Sequence, residues 1–202
     1  DRAPTIALAK DPERQARGAL QLSYKIEDDY GVTGAEAQFG LRPADAKDGA
    51  KDGGKDGDTK AAARPLFQPP QFPLVLPNAR TRNGVGQTVK DLSEDPYAGA
   101  DVTLTLSAKD EAGNEGRSEP FNMRLPERLF TKPLARALIE QRRILALDAN
   151  QHSQVYTALD ALMIAPELFT PEAGHYLGLY SVARQLEAAR TDVALREVVA
   201  SL

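Results

Sequence analysis

The residues best suited to chemistry in this chain are acidic, and they fall in two short clusters. One is Glu27-Asp28-Asp29-Tyr30-Gly31, the other Asp110-Glu111-Ala112-Gly113-Asn114. Carboxylates on two loops supply the hard oxygen ligands that Ca²⁺ prefers. If the clusters meet in space, Asp28, Asp29, Asp110 and Glu111 are the candidate ligands of a calcium site. The competing reading is local and stronger. Asp and Asn beside Gly are what tight turns use, and Asp110 to Asn114 reads as a hairpin turn. The spaced acidic loop of a calcium hand does not occur in the sequence. The turn is therefore the first reading and calcium the alternative.

Other chemistries find less support. The chain has no Cys, which excludes a thiolate nucleophile and a disulfide framework. Its two histidines, His152 and His175, have no second ligand at a zinc-type spacing, and each falls near a helix start. No Gly-x-Ser-x-Gly elbow, phosphate loop or dinucleotide fingerprint occurs. Gly84-Val85-Gly86 is too short for one and reads as a loop before a strand. Glycoside hydrolysis asks only that two carboxylates meet in space, and 29 acids give no pair priority. A sugar cleft, however, needs aromatic walls, and the chain is only 6% aromatic with no Trp. A net charge of −4 without a basic stripe argues against nucleic acid. Arg142-Arg143, beside Glu140, reads as a solvated helix face.

The elements that must position these residues change period near residue 128. Before it, apolar side chains alternate: Leu20, Leu22, Tyr24, Ile26; Ala35, Ala37, Phe39, Leu41; Phe72, Leu74, Leu76; Val102, Leu104, Leu106, Ala108; Phe121, Met123, Leu125. Period two marks half-buried strands. Ile6 and Leu8 add a short opening strand, and Gln87 to Leu92 a weak one, for about seven. Seven short strands without intervening helices predict an immunoglobulin-like antiparallel β-sandwich, in which the two acidic clusters become the B–C and F–G loops at one end. Tyr97 sits where a tyrosine often ties the E–F corner. Between the third and fourth strands, Lys-Asp-Gly tetrapeptides recur from Lys47 to Asp58 with no large apolar side chain. Such a stretch cannot offset its ordering entropy, so residues 43–63 are expected to be a disordered insertion. Pro65, Pro69, Pro70, Pro73 and Pro77 then suit an extended or edge segment.

After Pro126 the spacing turns helical. Thr131 is the expected cap of a first helix with Pro133 in its first turn, and Leu134, Leu138, Gln141 and Leu145 as its stripe. A second helix spans about Ser153 to Ile164, a third begins at Thr170-Pro171-Glu172 with Tyr176, Leu179, Tyr180, Ala183 and Leu186 on one face, and a fourth begins at Asp192. The expected architecture is multidomain, β then α: a sandwich over residues 1–127, followed by a small helical bundle segment over 128–202. The first residue is Asp1 rather than Met, and the last residues lack a helix stop signal. Both ends are therefore expected to be cuts.

Four stretches resemble a known family. Glu27-Asp28-Asp29-Tyr30-Gly31-Val32 and Phe130-Thr131-Lys132-Pro133-Leu134-Ala135-Arg136-Ala137-Leu138-Ile139-Glu140-Gln141-Arg142-Arg143-Ile144-Leu145 are similar to the domain of unknown function 4175 group, as are Leu125-Pro126-Glu127-Arg128 and Tyr176-Leu177-Gly178-Leu179. The resemblance implies an alphaproteobacterial inner-membrane protein whose periplasmic part begins with these residues. It implies no catalytic or ligand residues. The expected function is a non-enzymatic periplasmic module that binds a protein partner or its own copies and reaches the membrane through segments outside this stretch. The alternatives are a calcium-stabilised envelope domain and a module that binds or hydrolyses envelope glycan.

Overall fold

The computed structural model describes residues 2–42, 62–164, 166–169 and 172–202. The Lys-Asp-Gly repeats lie outside the described residues. The described chain divides into two compact units, residues 2–42 with 69–128, and residues 62–68 with 129–202.

The first unit is a curled antiparallel sheet of seven strands: β1 (Thr5–Arg14), β2 (Ala19–Leu41), β3 (Gln71–Pro73), β4 (Thr81–Asp91), β5 (Asp101–Asp110), β6 (Glu115–Arg117) and β7 (Phe121–Arg124). The number matches the sequence reading, but the partition does not. The strands expected at 20–26 and 35–41 are one continuous strand of 23 residues. The loop expected between them is a bulge inside β2, where the register against β4 jumps between Glu27 and Val32. The first half of β2 lies between β1 and β4, and the second half between β5 and β3. Each half has strand partners on both sides, so most of the backbone's donors and acceptors are paired without the chain leaving the extended state. The strand missed in sequence is β6, whose residues Glu-Gly-Arg have no apolar member to show a period.

Alternation decides what is buried. Leu20, Leu22, Tyr24, Ile26, Ala37, Val102, Leu104, Leu106 and Ala108 are all buried. Burying a large apolar side chain is worth about 1.5–3 kcal/mol. Phe39 and Phe72 pack with ring centroids 5.9 Å apart. Strand β4 takes in Gly84-Val85-Gly86, expected to be a loop before a strand, and it inverts the usual burial of strand valines: its inward positions hold Gly86 and Thr88, while Val85 and Val89 face out. Tyr24 explains the inversion. Its ring lies over Gly86, its register partner, where an added Cβ would sit 2.4 Å from Tyr24 Cε2. The hydroxyl of Tyr24 bonds with Thr88 Oγ1 at 2.7 Å and donates to the Val75 carbonyl. A small residue at 86 and a hydroxyl at 88 are thus both required by one buried tyrosine. Gly116 permits a second close approach, since a Cβ there would meet the Pro4 carbonyl oxygen at 1.6 Å. This brings the start of β1 beside β6. Tyr97 is fully buried in the segment joining β4 to β5.

The second unit contains helices α1 (Pro133–Leu147), α2 (His152–Ile164), α3 (Pro166–Phe169), α4 (Ala173–Ala188) and α5 (Asp192–Ser201). The N-cap of α1 is Lys132 and not Thr131, with Pro133 at the first turn. Proline fits there because its missing N–H would be unbonded anyway. Thr191 caps α5 by accepting from Ala194 N at 3.2 Å. Leu145, Val155, Leu159, Leu179, Ala183, Leu186, Leu195, Val198 and Val199 form the shared core. Tyr180, expected on the buried stripe of α4, faces out, and Arg184 lies over its ring with 5.4 Å to the centroid.

Residues 62–68 belong to this core, which the sequence reading did not foresee. Leu66 is buried among the helices with Phe67 packed beside it. Leu66 N donates to the Ala146 carbonyl at 2.9 Å, and Ala149 N donates to the Arg64 carbonyl at 2.9 Å. Arg196 Nε donates to the Leu66 carbonyl at 2.6 Å, and Arg64 pairs with Asp192 at 3.1 Å. The segment is a strap tied to the helices through its backbone, with a bend at Leu66 and Phe67. Arg142 is a related correction: it donates to the Val199 carbonyl of α5 at 3.2 Å and is not a purely solvated residue.

Candidate functional site

The bulge in β2 and the β5–β6 hairpin lie at the same end of the sheet. Val32, just past the bulge, pairs with Thr81 on one side and with Asp110 on the other. The geometry therefore brings the two acidic clusters near one another, as the loop assignment implies. Their carboxylates nonetheless do different things.

Asp110 is buried, and its carboxylate is occupied by its own hairpin. Oδ1 accepts from Asn114 N at 2.8 Å, and Oδ2 accepts from Asn114 Nδ2 at 2.7 Å. Asp110 N in turn donates to the Asn114 carbonyl at 3.1 Å. Burial pushes the Asp110 pKa upward. The hydrogen bonds from Asn114, Gly113 and Ala112 outweigh it and hold the group below its ordinary value. Asp28 closes a turn within the bulge, its Oδ2 accepting from the N–H groups of Tyr30 and Gly31. Its Oδ1 is buried with no hydrogen-bond partner among the described residues. Asp29 is exposed. Glu111 is exposed and pairs with Arg80 at 2.9 Å.

Arg80 is the member of this end that sequence reasoning missed. It lies thirty-one residues from Glu111, and only the fold brings it there: an added Cβ on Gly31 would lie 3.2 Å from Arg80 Cβ. Among the described residues, no three His, Asp or Glu side chains converge in a way that could hold a metal ion. The histidines stand where expected. His152 opens α2, with Nδ1 3.1 Å from the Ala149 carbonyl. His175 lies exposed in the first turn of α4, with Nε2 3.8 Å from Glu172.

A second surface is apolar. Val85 and Val89 are 64% and 57% exposed on the outward face of β4. Strand β4 pairs only with β2, so among the described residues its other edge has no backbone partner. In the helical unit, Leu177 and Tyr180 face out from α4. No described helix is long and apolar enough to cross a membrane.

Comparison with known proteins adds a family and little else. No curated protein matches the chain. Among solved structures, it is similar to the "Structure of Astrotactin-2, a conserved vertebrate-specific and perforin-like membrane protein involved in neuronal development", at a TM-score of 0.32 and 12% identity. The match covers 96% of this chain and 38% of that one. An overlap that loose defines neither fold nor function. The family model for the domain of unknown function DUF4175 matches residues 1–202, end to end. The chain belongs to the DUF4175 family.

Proposed function

We propose that this chain is a non-enzymatic interaction module of the cell envelope. It works on the periplasmic side of the inner membrane and is anchored by segments outside these residues. The observation that carries the reading is apolar side chains held outward on regular elements: Val85 and Val89 on β4, Leu177 and Tyr180 on α4. Apolar side chains grouped on rigid elements are typical of surfaces that bind protein. The strand partition supports an immunoglobulin-like sandwich within this reading. One group is β1, the first half of β2, and β4; the other is β3, the second half of β2, β5, and β6 with β7. Shared burial of one-sided helices supports a small helical bundle. Crosslinking and co-purification of the full-length protein from native envelope tests the function. Capture of a defined partner or of its own copies is expected, and a protein that stays monomeric and captures nothing refutes the reading.

A calcium-stabilised domain is the second reading, and it rests on one atom. Asp28 Oδ1 is buried and without a hydrogen-bond partner among the described residues, which is costly for a carboxylate oxygen unless something binds it. A ligand that binds only the native state must raise its stability. A melting midpoint that is the same in Ca²⁺ and in chelator eliminates this reading.

A further inference from the structure

We infer that the outer edge of β4 is a self-pairing surface, on which a second copy of this chain adds its own β4 antiparallel about Gln87. The inference deepens the interaction reading above by naming a surface and an occupant. Strand β4 runs eleven residues, Thr81–Asp91, and one of its edges has no backbone partner among the described residues. An unpaired edge of that length is a template for another strand. Directly opposed residues in an antiparallel pair share a face. Centring the pair on Gln87 sets Val85 of each copy against Val89 of the other. Four exposed valines then form one apolar cluster on the outward face, where each copy now holds two in water.

The same register sets no like charges against one another. Asp91 falls opposite Asn83, and Lys90 falls opposite Gly84, which has no side chain to oppose it. Shifting the centre by one residue, to Gly86, would put Arg82 against Lys90 and lose the valine contact. Like charges directly opposed are destabilising. Lys90 flanking the edge also disfavours indiscriminate strand addition, since charged residues are a common guard on edges. The edge thus favours one register and one partner over general aggregation.

The chain has no cysteine, so a single introduced one reports cleanly. Opposed Cα atoms in an antiparallel pair lie about 4.5–5.5 Å apart, within disulfide range. Gln87→Cys is therefore expected to give a covalent dimer on mild oxidation. Val193→Cys, at an exposed valine of α5, is expected not to. Sedimentation velocity of the unmodified chain is expected to show a concentration-dependent dimer that Val85→Lys and Val89→Lys each abolish. Both positions are exposed, so these variants should fold, and circular dichroism checks that they do. A chain that is monomeric at every concentration overturns the inference, and so does a dimer indifferent to Val89→Lys. If it fails while the full-length protein still captures another protein, the broader interaction reading survives.

Discussion

At Asp110, burial and hydrogen bonding pull in opposite directions, and hydrogen bonding wins. The carboxyl is held below its ordinary value. A group whose pKa is lower folded than unfolded adds stability that is fully present above its unfolded value, about 3.9. That stability is lost as pH falls through the folded value. Asp110→Asn is therefore expected to lower the urea midpoint at neutral pH, with the gap from the parent narrowing below about pH 4. A gap that stays constant on acidification would show that the charge is not involved. Gly86 gives a steric prediction. Tyr24 is fixed by two hydrogen bonds, and an added methyl would also lie 3.0 Å from the Val75 carbonyl oxygen. Neither neighbour can move freely, so Gly86→Ala is expected to cost about 2 kcal/mol, measured by urea unfolding. The Asp110 turn was legible in the sequence because the residues of a hairpin turn are local. Arg80 beside Glu111 was not, because nothing local links them.

Among elements, the strap at residues 62–68 makes the sharpest claim. Leu66 is buried in a core otherwise built from residues beyond 129. Leu66→Ala should therefore cost about 3 kcal/mol, and the loss should fall on the helices. Hydrogen exchange would read it as lost protection in α1 and α5 with the strands unchanged. Equal loss in both units would contradict the assignment of this segment to the helical core. Of the five prolines around it, only Pro73 lies in a strand, and the chain bends at Leu66 and Phe67; proline content says nothing about which surface such a segment lies on. The continuous β2 makes a related point. Asp28-Asp29-Tyr30-Gly31 has the composition of a loop. It stays within the strand because the two halves of β2 find different partners, and those partners come from distant sequence.

For the molecule as a whole, the division into two units predicts what truncation does. A chain ending at residue 128 keeps every strand and the buried residues of the sheet. It is expected to retain its strand signal in circular dichroism and to unfold cooperatively, with Leu66 left exposed. Residues 129–202 alone lack the strap and its bonds to Ala146, Ala149 and Arg196. They are expected to be less stable than the same helices in the full chain. A helical fragment as stable as the parent would remove the strap from the account.

Local periodicity determined most of what the sequence could say about this protein: that strands precede helices, most of the buried faces, the starts of α1, α2 and α5 to within a residue, and the hairpin turn at Asp110; the short α3 and the outward Tyr180 were not among them. Side-chain period and turn chemistry are local properties, so they survive without the fold. Tertiary structure alone decided that two expected strands are one, that β4 turns its valines outward because Tyr24 fills the inside, that a segment from among the strands completes the helical core, and that Asp28, Asp110 and Glu111 each serve a separate partner. Those outcomes depend on which distant backbone groups and side chains meet, and a one-dimensional pattern does not contain that information.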